Sequence, residues 1–227
     1  FALSNVAHGK IKYIDLSIAK EAEGVHCVLI AEDIENLMIG PIRHDEPILA
    51  SNEVLFYGQA IAAILAESHD LAKKAALLVT AEVEELKSIV SIDEAMKSKS
   101  FLDEPMIVST GDSKKKIKNA KNILTGSLSI GGQEHYYLEG QVAMSIPTED
   151  NEMVVHSSTQ NPTEVQHLVA YVLNVPQNAI EVITRRMGGG FGGKETDSSQ
   201  LACICAIFSE KTKKPVKARL SRKDDML

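Results

Sequence analysis

Ten residues near the C-terminal end, Arg186-Met187-Gly188-Gly189-Gly190-Phe191-Gly192-Gly193-Lys194-Glu195, constrain this chain more than any other stretch. Phe191 alone interrupts the glycines from Gly188 to Gly193. A backbone without Cβ atoms can pass close to another group and can take positive φ. The sequence before the cluster, Ile180 to Thr184, reads as a strand, and the sequence after it, from about Thr196 to Glu210, reads as a helix. A glycine loop that enters a helix offers N–H groups and a helix dipole to an anion.

Four assignments fit such a loop. The spacing Gly188-x-Gly190-x-x-Gly193 matches a dinucleotide fingerprint, and Gly188-x4-Gly193-Lys194 comes near a phosphate-binding P-loop. The loop can also cradle another phosphate-bearing cofactor, or it can be a tight strand-to-helix turn and no more. A P-loop needs Ser or Thr after its lysine to hold magnesium; Glu195 stands there, and its charge would repel phosphate. A dinucleotide site wants an acidic residue at the end of the next strand, and Pro215 to Ser221 supplies none. The strand, loop, helix and strand still stand in the order a nucleotide-binding oxidoreductase domain needs, so the dinucleotide assignment stays open beside the other two.

Two further stretches carry unusual polar content. Gly131-Gly132-Gln133-Glu134-His135-Tyr136-Tyr137-Leu138-Glu139-Gly140-Gln141 interleaves aromatic rings with carboxylates. It is either a satisfied buried network or part of the wall around a cofactor. In the second case the Gln133 amide can donate to an oxo group and accept elsewhere. His135 has no second His or Cys at ligand spacing. Ser158-Thr159-Gln160-Asn161-Pro162 precedes a helix with Val165, Leu168, Val169, Val172 and Leu173 on one face. Asn161 and Pro162 are a cap and a first-turn proline, and the other small polar groups can line a pocket.

The rest of the chain reads as short α/β elements. Strands are expected at Lys10–Leu16, Val25–Ile30, Val54–Tyr57, Ala60–Ala66 and Val79–Val83, with helices at Ile18–Glu23 and His69–Leu78. Ser98 to Lys121, with its polar clusters, reads as a connector with one helical turn. Beyond it, strands are expected at Ile123–Ile130, Gln141–Ile146, Met153–Ser157 and Pro215–Ser221, and a helix at Thr163–Leu173. With no tryptophan, the core must rest on Val, Ile, Leu and Ala. A net charge of −7 gives no general attraction to nucleic acid or to an anionic membrane. The three cysteines, Cys27, Cys203 and Cys205, match no disulfide framework and no zinc or iron–sulfur spacing, so a reducing, cytoplasmic setting is expected. The start at Phe1 and the uncapped end at Leu227 lead us to expect more sequence on both sides.

In its three polar stretches the chain resembles the xanthine dehydrogenase and aldehyde oxidase family of molybdenum hydroxylases. GGQEHYYLEGQ, STQNP and RMGGGFGGKE stand in the family's order and at about its spacing. The resemblance runs over nearly the whole chain. It implies an α/β (α+β mixed) fold: a small hammerhead α/β domain over 1–95, a connector over 96–122, and the first part of a molybdopterin-binding domain over 123–227, truncated there. It also implies roles. Gln133 would face the oxo ligand of molybdenum without being a metal ligand itself. Phe191, Gly192 and Gly193 would pack against molybdopterin through backbone amides. Glu195 would bind a purine such as hypoxanthine or xanthine, where aldehyde oxidases carry an apolar residue. Leu138 to Gln141 is similar to bacterial members with separate subunits. Asp197 departs from the arginine of many relatives and sets a second negative charge near Glu195. The implied reaction hydroxylates an electron-poor carbon with water as oxygen source, and electrons leave through iron–sulfur clusters to FAD on a partner subunit or other domains. The family's general base falls beyond Leu227, so residues 1–227 alone are expected to be inactive and to depend on the remainder of their own subunit.

Overall fold

The computed structural model describes residues 1–227. Contacts divide it into two units, one formed by Phe1–Lys87 with His135–Leu227 and the other by Ser88–Glu134.

The first unit begins with β1 (Ala2–Leu3), β2 (Gly9–Asp15), α1 (Ser17–Glu21), β3 (Val25–Leu29), β4 (Met38–Ile39), β5 (Glu46–Pro47), β6 (Glu53–Val54), β7 (Ala60–Ala66), α2 (His69–Ala76) and β8 (Thr80–Glu85). Two three-stranded sheets, ordered β1-β7-β3 and β6-β2-β8, are antiparallel throughout. β7 is buried from Ala60 to Ile64. Its Ala60 and Ala63 join one hydrophobic core and its Ile61, Ala62 and Ile64 join another, so the strand is packed on both faces. The Ser68 side chain accepts from Leu71 N and caps α2, which packs on β7.

One expected strand is cut short. Of Val54–Tyr57 only Val54 lies in a ladder, as the second residue of β6. The Gln59 side-chain oxygen takes the Leu55 N–H (2.8 Å), and Gly58 at φ +88° turns the chain. Leu55, Phe56 and Tyr57 are left exposed. The two-residue strands β1, β4 and β5 are too short to show a period of two and escape sequence reading.

The second unit holds α3 (Ile92–Ser98) and α4 (Ser113–Lys118), capped by the Ser91 and Asp112 side chains. The strand expected over Ile123–Ile130 does not form. Ile123, Leu124, Leu128 and Ile130 stay exposed, so the apolar alternation has no face to bury within this chain.

The first unit resumes with β9 (Val142–Pro147), β10 (Met153–Ser157), α5 (Pro162–Leu173), β11 (Ile180–Ile183), α6 (Ser198–Thr212) and β12 (Val216–Arg219). Their sheet is ordered β11-β10-β9-β12. β10 runs parallel to β11 and antiparallel to β9, and β12 runs antiparallel to β9. Asn161 caps α5 by accepting from Glu164 N, and Pro162 opens it. Asn174 at φ +54° closes it. Helix α6 is buried almost all round from Leu201 to Ser209 and packs on β9, β10, β12 and α5, which explains its weak amphipathicity. Cys203 and Cys205 sit in this helix, and burial pushes both thiols up, Cys205 to about 12, so they are core residues. The same core takes in Leu29, Ala31, Ile48 and Leu49 from the N-terminal half.

Candidate cofactor-binding loop

The loop from Thr184 to Asp197 leaves β11 and enters α6. β11 is an edge strand of a mixed sheet. A dinucleotide fingerprint needs its glycines after a central strand of a parallel, doubly wound sheet, so that assignment is excluded. The P-loop assignment fails on geometry as well as on Glu195. The Lys194 side chain is wholly buried and donates to Ser158 Oγ (2.8 Å) instead of pointing out towards a ligand.

The glycines are required by what surrounds them. A Cβ on Gly193 would lie 2.7 Å from Tyr137 Cε1 and 2.8 Å from His135 Nδ1, closer than real Cβ atoms come. One on Gly190 would meet the Gln160 carboxamide oxygen at 2.5 Å, and one on Gly188 would meet Glu139 Cβ at 2.6 Å. The three polar stretches of the sequence therefore fold against one another. The Gly131–Gln141 stretch meets the glycine loop from His135 onward, and the Ser158–Pro162 stretch meets it through Gln160.

Polar contacts fix the meeting. Gly188 N–H donates to Glu139 Oε2, and Glu139 N–H donates back to Gly188 O at 3.2 Å. The Lys194 ammonium lies 4.0 Å from Glu139 Oε2 and 4.7 Å from the centre of the Tyr137 ring, a cation–π contact. Burial lowers the pKa of Lys194, with the charges of Glu139 and Asp225 acting against the shift. Tyr137 Oη donates to Asp225 Oδ1 (3.2 Å), and the Gln141 amide donates to Tyr137 Oη (3.2 Å) and Gly193 O (2.8 Å). Thr159 Oγ1 donates to Lys194 O (3.1 Å) and accepts from Ser198 Oγ (2.8 Å). The small polar groups of 158–160 thus clasp the loop; they do not line an open pocket.

The outer side of the loop is a different surface. Phe191 is held at φ +53° with its ring 76 % exposed, and Gly192 follows at φ +100°. A bulky residue in the left-handed region is uncommon. Glu195 is exposed on the same loop. Of the candidate residues, Phe191, Gly192, Gly193 and Glu195 lie together in the first unit, whereas Gln133 lies in the second. Gly192 N–H donates to Gln160 Oε1 (2.9 Å) and Gly193 N–H to Gly190 O (2.8 Å), so these two amides are already engaged inside the protein. Asp197 acts on Glu46, whose carboxyl is raised by burial first and then by Asp197 and Asp45. Sequence reading missed Lys194 and Gln160 as the fasteners of the loop. Neither side chain departs from what a surface residue would show in sequence.

No group of three or more His, Cys, Asp and Glu is placed to hold a metal ion. The exposed Phe191 ring beside glycine backbone gives the loop's outer side a surface that suits an organic cofactor. A cavity of about 540 Å3 lies on another face, lined by residues such as Ile34, Met153, Leu173 and Ile207. No helix is long and apolar enough to cross a membrane.

Comparison with known proteins agrees in both halves. Residues 98–227 match the family model of the molybdopterin cofactor-binding domain, and residues 1–87 match that of the aldehyde oxidase and xanthine dehydrogenase a/b hammerhead domain. The chain is 42 % identical over 221 residues to a xanthine dehydrogenase of Dictyostelium discoideum, covering 97 % of this chain and 16 % of that protein. It is 41 % identical over 225 residues to the xanthine dehydrogenase/oxidase of Rattus norvegicus, covering 99 % of this chain and 17 % of that one. The chain thus spans about one sixth of these relatives' length. Among solved structures, quinoline 2-oxidoreductase from Pseudomonas putida 86 superposes with a TM-score of 0.85 at 24 % identity, over 98 % of this chain and 30 % of that one. The aldehyde oxidoreductase from Desulfovibrio gigas superposes with a TM-score of 0.84 at 25 % identity, over 99 % of this chain and 27 % of that one.

Proposed function

Because the chain belongs to the molybdopterin cofactor-binding domain family, we propose that it forms part of the molybdenum-bearing portion of a xanthine dehydrogenase-type oxidoreductase that hydroxylates a purine. The relatives named xanthine dehydrogenase support the reaction class. One observation carries the assignment to this loop. Two distant stretches, one from His135 and one from Gly188, fold together and leave Phe191, Gly192 and Glu195 on an outward-facing surface.

Phe191 offers its ring and its left-handed backbone to molybdopterin. The exposed Gly192, which carries no side chain, allows close approach of the cofactor, and Gly193 packs behind it against Tyr137 and His135. Gln133 would supply an amide donor to the metal's oxo group. When bound, the cofactor supplies a metal centre that takes up two electrons from the substrate carbon. Glu195 binds and orients the purine through charge-assisted hydrogen bonds. A purine suits Glu195, because a carboxylate can accept from ring N–H groups. The base that activates water, the iron–sulfur clusters and the FAD belong to other parts of the subunit or to a partner subunit. The protein works in the cytoplasm.

The test uses the longest natural polypeptide that carries this sequence. Molybdenum and a fluorescent oxidised pterin are expected in near-stoichiometric amounts, with turnover of xanthine to an artificial electron acceptor. Glu195→Leu should lower kcat/KM for xanthine by about a hundredfold, the usual cost of leaving a polar substrate group unpaired, and should lower it far less for an aldehyde. Absence of both molybdenum and pterin would overturn the assignment. Residues 1–227 alone should give no turnover.

A further inference from the structure

We propose that Gln160 is the positioning residue that holds the glycine loop in its cofactor-facing form, an inference that rests on the function proposed above. Its carboxamide oxygen accepts from Gly192 N (2.9 Å) and Lys194 N (3.3 Å), and its own backbone N–H donates to Lys194 O (2.8 Å). These three bonds grip the loop on both sides of Gly193. The same oxygen occupies the space where a Gly190 side chain would be, 2.5 Å from an ideal Cβ. Gly190 has no positive φ, so it is kept free of a side chain by Gln160 and not by backbone conformation. Between Gly190 and Gly192 the chain has one residue in which to turn, and that residue is Phe191 at φ +53°. A phenylalanine leaves the left-handed region readily unless its neighbours are tied down. Gln160 supplies the tie, and with it the outward direction of the Phe191 ring and the start of the segment that bears Glu195.

The geometry makes a sharp distinction between acceptor and bulk. Both side-chain bonds use one atom, Oε1, and both need an acceptor there. A carboxylate keeps the acceptor and the shape; a methionine keeps only the size. Gln160→Glu should therefore preserve the loop and Gln160→Met should release it. A residue with a packing role alone would tolerate both.

Amide hydrogen exchange on the full chain reads this directly. In Gln160→Met, exchange in peptides covering Gly188–Glu195 should speed up about tenfold, the equivalent of roughly one net hydrogen bond. In Gln160→Glu it should stay within about twofold of wild type, and peptides from α5 beyond its first turn should not change in either variant. Gly190→Ala should reproduce the release in wild type, yet have a smaller effect in a Gln160→Ala background, where the colliding oxygen is gone. If Glu and Met variants behave alike, or if Gly190→Ala costs the same in both backgrounds, the inference is overturned. In the longer polypeptide, Gln160→Met should reduce bound molybdenum and Gln160→Glu should restore it. The exchange pattern expected here, found together with no molybdenum in the wild type, would refute the proposed function and leave the positioning role standing.

Discussion

Two glycine-bearing stretches of the chain look alike in sequence and differ in every physical respect. At Gly131 and Gly132 an added Cβ would meet nothing within 4 Å, whereas at Gly188, Gly190 and Gly193 it would collide with Glu139, Gln160 and the rings of Tyr137 and His135. The first pair lies in an exposed run without regular structure. The second group lies where three segments converge. Glycine content by itself therefore reports only that a backbone is permitted to be close or to be bent. Burial of the opposing side chains decides whether that permission is used.

Substitution at the three kinds of position would break or sharpen the contrast. Gly193→Ala should have the largest effect, a loss of about 3 kcal/mol in denaturant unfolding, because the opposing Tyr137 ring is itself pinned by Asp225 and Gln141 and cannot yield. A loss no greater than that at an exposed site would show the crowding to be illusory. Lys194→Met comes next, with an expected loss of about 2 kcal/mol from the bond to Ser158 and the contact with the Tyr137 ring.

That variant also has a pH signature. Burial holds the folded-state pKa of Lys194 below its ordinary 10.5. Between the lowered value and 10.5 the unfolded chain binds more protons, so this group makes wild-type stability rise with pH across that window. Lys194→Met lacks the rise, and the gap between the two proteins should widen in the alkaline range. Urea titrations at neutral and alkaline pH would measure it; a constant gap would mean that the ammonium is not desolvated. Gly131→Ala should have the smallest effect, within about 0.5 kcal/mol, and of stabilising sign if the unfolded chain loses freedom. A large loss there would reveal a packed environment that the chain alone does not show.

Much of the first unit was legible because its signals are local. Ala60–Ala66 and Met153–Ser157 form strands over the residues expected, and Asn161-Pro162 starts α5 as a cap and first-turn proline. Strands failed where a side chain or a missing surface intervened. Gln59 took the Leu55 N–H from the ladder, and Ile123–Ile130 found no face to cover. The outward candidates of the loop, Phe191 and Glu195, were legible through glycine spacing and resemblance. Lys194 and Gln160 were not, because their importance comes from partners 32 to 36 residues away.

The sequence alone determined the element types with strong periodicity and the position of a glycine loop between a strand and a helix, since each depends on residues within a few turns of one another. Tertiary structure alone decided that β11 is an edge strand, which removes dinucleotide binding, and that the loop's amides serve Gln160 and Glu139. Those outcomes depend on which segments meet in space, and meeting is governed by the burial of a shared core that no local pattern encodes.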